Sequence, residues 1–410
     1  MRAALLFLVA LPLFGCATDY VSRTRDVRQA YETYDHAGAL SRLEAEEKAK
    51  GEKDRLLVLM DKGMILHADG KYAESIKVFA EAEKLADGLD LVSVSEEAAT
   101  LVANERQRAY RGEDFERLMI NCLQALNYAA LGQDESALVE VRRMNERLRV
   151  MIAEQKKPYQ QLAVAKYLAG ALWEDQGELD SAFIDYWQAY ERNPRLEHLA
   201  DALLRLAKKT GREDQYEQLR KAFPHANDAP LGKDEGEVLV VIEAGLSPQK
   251  ESSRSASTTN AANLVVVPVF KDRGVPSLAR VTPSAGPSAA GVTGVTVTSV
   301  REVAHQHLNE RIGRYLARAV AGTAVKAGIA AGAGALTKSE EVGLLAFYLL
   351  TLTNEADLRS WLSLPAEFQL VRVRMPAGAQ EVSVQSRGRT TQHPVEVRPG
   401  RLSVVVVRRY

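Results

Sequence analysis

Apolar residues recur with helical rather than alternating spacing over residues 20–223, a stretch rich in Ala, Leu, Glu, Lys and Arg that holds only two prolines. The pattern predicts an all-α region. After Pro224 it changes: residues 226–236 read as a linker, and EVLVVIEA at 237–244 is a β-branched strand. A second strand at 264–270 contains Pro268, which confines it to an edge or a strand end, and a third spans 292–300. The Ser/Thr-rich stretch 247–260 is expected to be a long loop. Helix returns from Glu302 through Arg311, Arg314 and Arg318 into the small-residue run AVAGTAVKAGIAAGAGAL, where Gly328 and Gly332 stand four apart. Thr337, Lys338, Ser339 and Glu340 form a capping box for a further helix over 342–352, and a short helix led by Asn354 and Asp357 is stopped by Pro365. From 368 to 409 the valine pairs 371/373, 382/384, 395/397 and 404/406 alternate, with turns at Pro376-Ala377-Gly378 and Pro399-Gly400. The expected fold class is α+β, an all-α array followed by a mixed α/β domain that ends in a small antiparallel β-meander.

Within the helical region the chain repeats itself. The clearest unit is Gly170, Trp173, Gly177, Ala182, Tyr186, Ala189 and Pro194. It resembles the TPR pattern of small residue, aromatic, turn glycine, small residue, aromatic, alanine and terminal proline. A second copy uses Gly63, Gly70, Tyr72, Ser75, Phe79 and Ala82, and a third Ala125, Tyr128, Gly132, Ala137, Val141 and Met144. A fourth, through Leu204, Gly211 and Phe223, departs from the pattern at Tyr216. Turn glycines lie 62, 45 and 34 residues apart, so the array is divergent, with an extra helix or long connection near 88–118. The TPR resemblance implies close helix pairs and a groove lined by their first helices that takes an extended or helical peptide. The other reading is a scaffold that supports the second half.

The N-terminus carries different information. Met1-Arg2 gives a positive start, and an uncharged Leu/Ala-rich run follows that is too short to span a bilayer, where about 20 residues are needed. Residues 1–15 read as an export signal. Leu13-Phe14-Gly15-Cys16 resembles a bacterial lipobox, which implies cleavage before Cys16, a covalent lipid on its thiol and a membrane-anchored segment 16–225. Ala17, by resemblance to enterobacterial lipoproteins, directs the chain to the outer membrane. With Cys16 lipidated only Cys122 remains, in an apolar helical pattern that predicts a buried thiol.

Composition excludes more than it assigns. A hydrophobic fraction of 46% and a charged fraction of 26% are ordinary for globular chains, and a net charge of -1 gives no reason to expect nucleic acid. The tail from Arg372 holds eight arginines (372, 374, 387, 389, 398, 401, 408, 409) against two glutamates, read as a solvated sheet face or a surface for anions. His305 and His307 diverge on a helix, and no HExxH, Walker loop, GxSxG or paired CxxC occurs. The expectation is therefore no enzyme, no metal and no cofactor beyond the lipid.

As a whole the chain resembles uncharacterised TPR-containing proteobacterial outer-membrane lipoproteins, through YRGEDFERLMINCLQALNYAALGQDESALVEVRR and ADLRSWLSLP. The resemblance implies a periplasm-facing adaptor anchored by membrane lipid and bound to an envelope protein partner. Its layout is similar to lipoprotein activators of penicillin-binding proteins, which implies a role in peptidoglycan synthesis. An envelope enzyme acting on glycan or lipid and a secretion component are the alternatives.

Overall fold

The structure, a computed structural model, describes residues 20–49, 52–96, 108–155, 163–253, 267–337 and 357–410. The export signal, Cys16, most of the capping box at 337–340 and the helix expected at 342–352 lie outside these residues.

Short helices α1 (Tyr20–Arg23) and α2 (Arg25–Glu32) lead into α3 (His36–Ala49), and four helix pairs follow. They are α4 (Arg55–Ala68) with α5 (Tyr72–Glu96), α6 (Asp114–Ala130) with α7 (Asp134–Gln155), α8 (Ala163–Asp175) with α9 (Leu179–Arg192), and α10 (Glu197–Lys209) with α11 (Glu213–Ala222). Each pair turns on one glycine, Gly70, Gly132, Gly177 or Gly211, with φ of +73°, +69°, +79° and +67°. After each glycine the next amide donates back five residues, as from Lys71 to the Leu66 carbonyl at 2.9 Å and from Gln133 to that of Tyr128 at 2.8 Å. That is the Schellman closure of a helix, and it needs a left-handed residue that only glycine supplies cheaply.

Inside the pairs small residues meet large ones. A Cβ on Gly63 would stand 2.4 Å from the Phe79 ring, and one on Gly170 would stand 2.5 Å from that of Tyr186. At the equivalent place in the third copy Ala125 replaces glycine and the smaller Val141 replaces the aromatic ring, both buried. α5 runs on to Glu96 and α6 starts at Asp114, so the expected extra helix or long connection near 88–118 falls largely on residues 97–107, outside the described residues.

The strands form two four-stranded sheets and a hairpin. The central sheet has the order β10 (Leu402–Arg409), β1 (Glu235–Ala244), β7 (Glu367–Pro376), β6 (Val295–Ser299). The outer sheet has the order β5 (Val292–Thr293), β4 (Arg280–Pro283), β8 (Gly378–Ser386), β9 (Arg389–Val397), and β2 (Gln249–Ser253) pairs with β3 (Val267–Lys271). The expected meander is corrected. Only β8 and β9 are hairpin neighbours within it; β7 belongs to the other sheet, and β10 crosses back to pair in parallel with β1, Leu239 opposite Val404. Alternation marks a strand and its faces but does not name its neighbour.

Three more expectations change. The stretch 292–300 is two strands in different sheets, broken at Gly294, whose amide donates to the Ala279 carbonyl at 2.7 Å. Part of the expected loop is strand β2. The described residues before Pro365, 357–364, are not helical: the Trp361 amide donates to Glu116 Oε1 at 2.6 Å and the Ala366 amide to the Ala244 carbonyl at 2.9 Å. Tertiary acceptors have taken the amides that a helix would pair internally.

The layers are helices, central sheet, outer sheet. Val238, Val240 and Ile242 of β1 pack with Val281, Val382 and Val384 of the outer sheet. Leu239 and Val241, on the opposite face, join the same hydrophobic core as α4, α6, α8 and α10. Helix α12 (Val300–Thr337) leaves β6 directly; its 38 residues correspond to about 57 Å. Val300, Ala304 and Leu308 are buried, whereas positions 327, 328, 331, 332 and 335 are exposed. Among the described residues no helix is long and apolar enough to cross a membrane.

Candidate functional site

The first helices of the pairs do not line an open groove. α4, α6 and the first ten residues of α8 are buried almost throughout, between their partner helices and the central sheet. A helix that is apolar nearly all round belongs inside a protein, and a charge within it must find a partner there. Asp61 and His67 of α4 are such titratable groups. Glu237 and Glu243, six apart in β1 and hence on one face, are others. The seam where they meet is the polar feature that organises the molecule.

At one end lies a quartet. Arg372 of β7 donates to Glu174 of α8 at 2.7 Å and to Glu237; Arg205 of α10 reaches the same two carboxylates, each at 3.0 Å. Tyr186 donates to Glu174 at 3.1 Å and accepts from Arg372 at 2.6 Å. Burial pushes Glu174 up, yet the two guanidiniums outweigh it and hold the carboxyl down at about 2. Two cations face two anions, so no net charge is buried.

In the middle, His67 stands between Glu243 of β1 at 2.9 Å and Asn127 of α6 at 2.6 Å. Nearby, Asp61 accepts from Tyr20 at 2.7 Å and from Ser363 at 2.5 Å, and Asp54 accepts from Arg359 at 3.0 Å and Arg23 at 2.8 Å. These bonds seat residues 359–366 in the array, with Trp361 buried edge-on to Phe79 at 5.8 Å.

At the other end the N-cap and first turn of α6 hold two glutamates whose acidities are pushed in opposite directions. Glu113 meets Lys250 of β2, His307 of α12 at 2.9 Å and Arg311 at 2.5 Å. Burial opposes its charge, but Lys250, His307 and Arg311 carry it well below the ordinary carboxylate range. Glu116 accepts from the Tyr110 hydroxyl at 2.5 Å and the Trp361 amide, and burial with the nearby Glu113 charge raises it to about 7. Paired carboxyls with separated acidities are what general acid–base chemistry uses. Here Glu116, Lys250 and His307 are each no more than 2% exposed and bonded to protein groups, an arrangement that fastens β2 and α12 to α6.

The residues singled out in the sequence fall mostly on helix packing. Gly63, Phe79, Ala137, Gly170, Ala182, Tyr186 and Ala189 are buried between helices, and Ser75, at the small position of its copy, donates to the Gly63 carbonyl at 2.8 Å. Tyr72, Tyr128 and Trp173 are half-buried; Trp173 donates to Asp185 at 3.1 Å beneath the Arg142 guanidinium. Gly70, Gly132, Gly177 and Pro194 are exposed in turns. Cys122 is buried, and burial with the Glu243 charge pushes its thiol up to about 12. His305 and His307 do turn apart, toward Asp272 and Glu113. Among the described residues no group of three metal-ligating side chains occurs.

The arginine surplus divides between the interior and the surface. Arg372 is in the quartet, Arg398 and Arg401 bind Asp134 and Asp175 at helix ends, Arg408 donates to Tyr31, and Arg389 lies 3.7 Å over the Tyr34 ring. Arg372 and Arg408 are buried where they tie the sheets to the helices, whereas Arg387, Arg389 and Arg401 are exposed at the surface. Sequence reading missed Glu237, Glu243, Asp61 and His67, although a charge inside an apolar strand or an all-apolar helix is the signal that marks them.

No protein-family model matches the chain, and no curated protein matches it. Among solved structures it is similar to one described as "Crystal structure of MamA protein", with 14% identity, a TM-score of 0.33, 50% of this chain and 87% of that one covered. It is also similar to one described as "MamA MSR-1 C2", with 11% identity, a TM-score of 0.30, and coverage of 49% and 92%. At these values the likeness carries no argument about what the chain does.

Proposed function

We propose that the chain is a membrane-tethered interaction scaffold whose TPR-like array is a fixed cradle for its own β-sandwich. The observation that supports it is the burial of α4, α6 and α8 against the central sheet, which fills the face where a peptide would be captured. Partners then meet the outside, where Leu131, Val139 and Ile184 are exposed beside the second helices. The lipid on Cys16, an outer-membrane location facing the periplasm and an envelope partner complete the reading, and they rest on the lipobox and the export signal. Regulation of peptidoglycan synthesis is its finer form, supported by layout alone.

Photo-crosslinkers at Ile184 and Val139 are expected to capture a protein in native membranes, while one at the covered Leu203 gives only intramolecular products. Intermolecular capture at Leu203 and none outside would reverse the assignment of faces. Mass spectrometry of the mature N-terminus is expected to show an acylated Cys16, and an unmodified thiol there removes the tether.

The rival reading, an envelope enzyme acting on glycan or lipid, would need substrate to reach the Glu113/Glu116 pair, which is buried and bonded to protein groups. Glu116→Gln abolishing turnover of a glycan or lipid substrate would support it.

A further inference from the structure

His67 is fully buried, and both its ring nitrogens face oxygen: Nδ1 stands 2.6 Å from Asn127 Oδ1 and Nε2 stands 2.9 Å from Glu243 Oε1. The direction of these contacts is fixed by a chain of one-way bonds. The Gly63 carbonyl can only accept, so the Ser75 hydroxyl spends its hydrogen there, at 2.8 Å. The same oxygen must therefore accept from Asn127 Nδ2 at 2.9 Å, which turns the Asn127 carbonyl oxygen to His67. Nδ1 is a donor. Nε2 meets a carboxyl oxygen, so a proton lies on that line as well, and with Glu243 as the acceptor both ring nitrogens carry hydrogen.

The groups around the ring agree. Glu243 of β1 favours the cation; Arg408 of β10, which donates to the Glu243 carbonyl at 2.7 Å, opposes it. Tyr72 of α5, edge-on at 5.7 Å, and Cys122 of α6 are both pushed up to about 12 by burial and the Glu243 charge, and remain neutral. Burial lowers His67, yet Glu243 and the bonds to Glu243 and Asn127 together raise it above its ordinary value.

We propose that His67 is a doubly protonated, buried latch that holds β1 against α4 and α6, so that closure of the sheet on the helical array is proton-linked, tight while the ring is charged and loosened once a proton leaves. The sign follows from linkage. A histidine whose folded value is raised contributes stability in full below its unfolded value of about 6.5 and loses it as pH rises through the folded value. Glu116 acts with the same sign from other residues, so the comparison that isolates the latch is wild type against His67→Gln.

In the full chain, nitrogen-15 spectra at about pH 7, where an ordinary imidazole has mostly lost its second proton, are expected to show hydrogens on both ring nitrogens of His67. The ring is assigned through its correlation with the Asn127 amide. The melting temperature is expected to fall by several degrees from about pH 6 to about pH 9, with that His67 component missing in His67→Gln. A bare ring nitrogen at neutral pH, or an equal fall in the variant, overturns the proposal. Should His67→Gln not fold, the wild-type spectrum alone decides.

Discussion

The two faces of the central sheet are built on different principles. Toward the outer sheet it presents Val238, Val240, Ile242, Val371, Val373, Val405 and Val407, an aliphatic surface. Toward the helices the same strands alternate Leu239, Val241 and Leu370 with Glu237, Glu243, Arg372 and Arg408. Aliphatic packing is non-directional and tolerates volume-conserving exchange. A buried ion pair costs several kcal/mol per ion in lost hydration and returns it only in good geometry, about 3 Å apart with the remaining lone pairs bonded. The difference teaches that burial stabilises the sandwich, whereas the seam fixes one relation between sheet and array.

The largest expected effect comes from breaking the quartet. Arg372→Leu leaves Glu174 and Glu237 sharing Arg205, and should cost about 3–5 kcal/mol in urea unfolding. Replacing Glu174, Glu237, Arg205 and Arg372 together by apolar residues of similar volume should be far less harmful, or even stabilising by about 1–4 kcal/mol. If the single variant is as stable as wild type, the contrast between the faces fails.

The two ends of the seam should also differ in pH response. Glu116, raised to about 7, is protonated in the fold where the unfolded chain has ionised, so its contribution is lost as pH rises from its unfolded value toward 7. Glu174, held at about 2, acts oppositely: its contribution is present above the unfolded value and lost as pH falls toward 2. Glu116→Gln should flatten the first slope in a pH series of unfolding curves and leave the second.

Smaller effects test the parts away from the seam. Gly70→Ala places a side chain at φ +73°, in open space, and should cost about 1–2 kcal/mol from backbone strain alone. Ile242→Val on the aliphatic face should cost about 0.5–1.5 kcal/mol, with no pH dependence. A larger loss there than at Arg372 would invert the ranking of the two faces.

How much of this was legible varies with the range of the physics. The helix pairs could be read from Gly70, Gly132, Gly177 and Gly211, because a turn glycine and its flanking amphipathic runs are local. Gly170 could be read as a close-packing position, but not that the Tyr186 ring sits against it within the same pair. The pairing of β10 with β1 could not: Val404 and Leu239 are far apart in the chain, and alternation is identical for any neighbour. Nor could the fate of Arg398 or Arg401, since whether an arginine faces water or a helix-end aspartate depends on what folds over it.

The sequence by itself determined the helical pairs, their turns and the position of most of the strands, all set by contacts within one or two turns or by residue type. Only the tertiary structure decided that the first-helix face is filled, that the tail is divided between two sheets, and that His67, Glu243 and the Glu174/Glu237 quartet meet. Those outcomes depend on burying charges from distant segments together. A charge reveals in the sequence that it needs a counterpart, and the folded chain alone supplies which one.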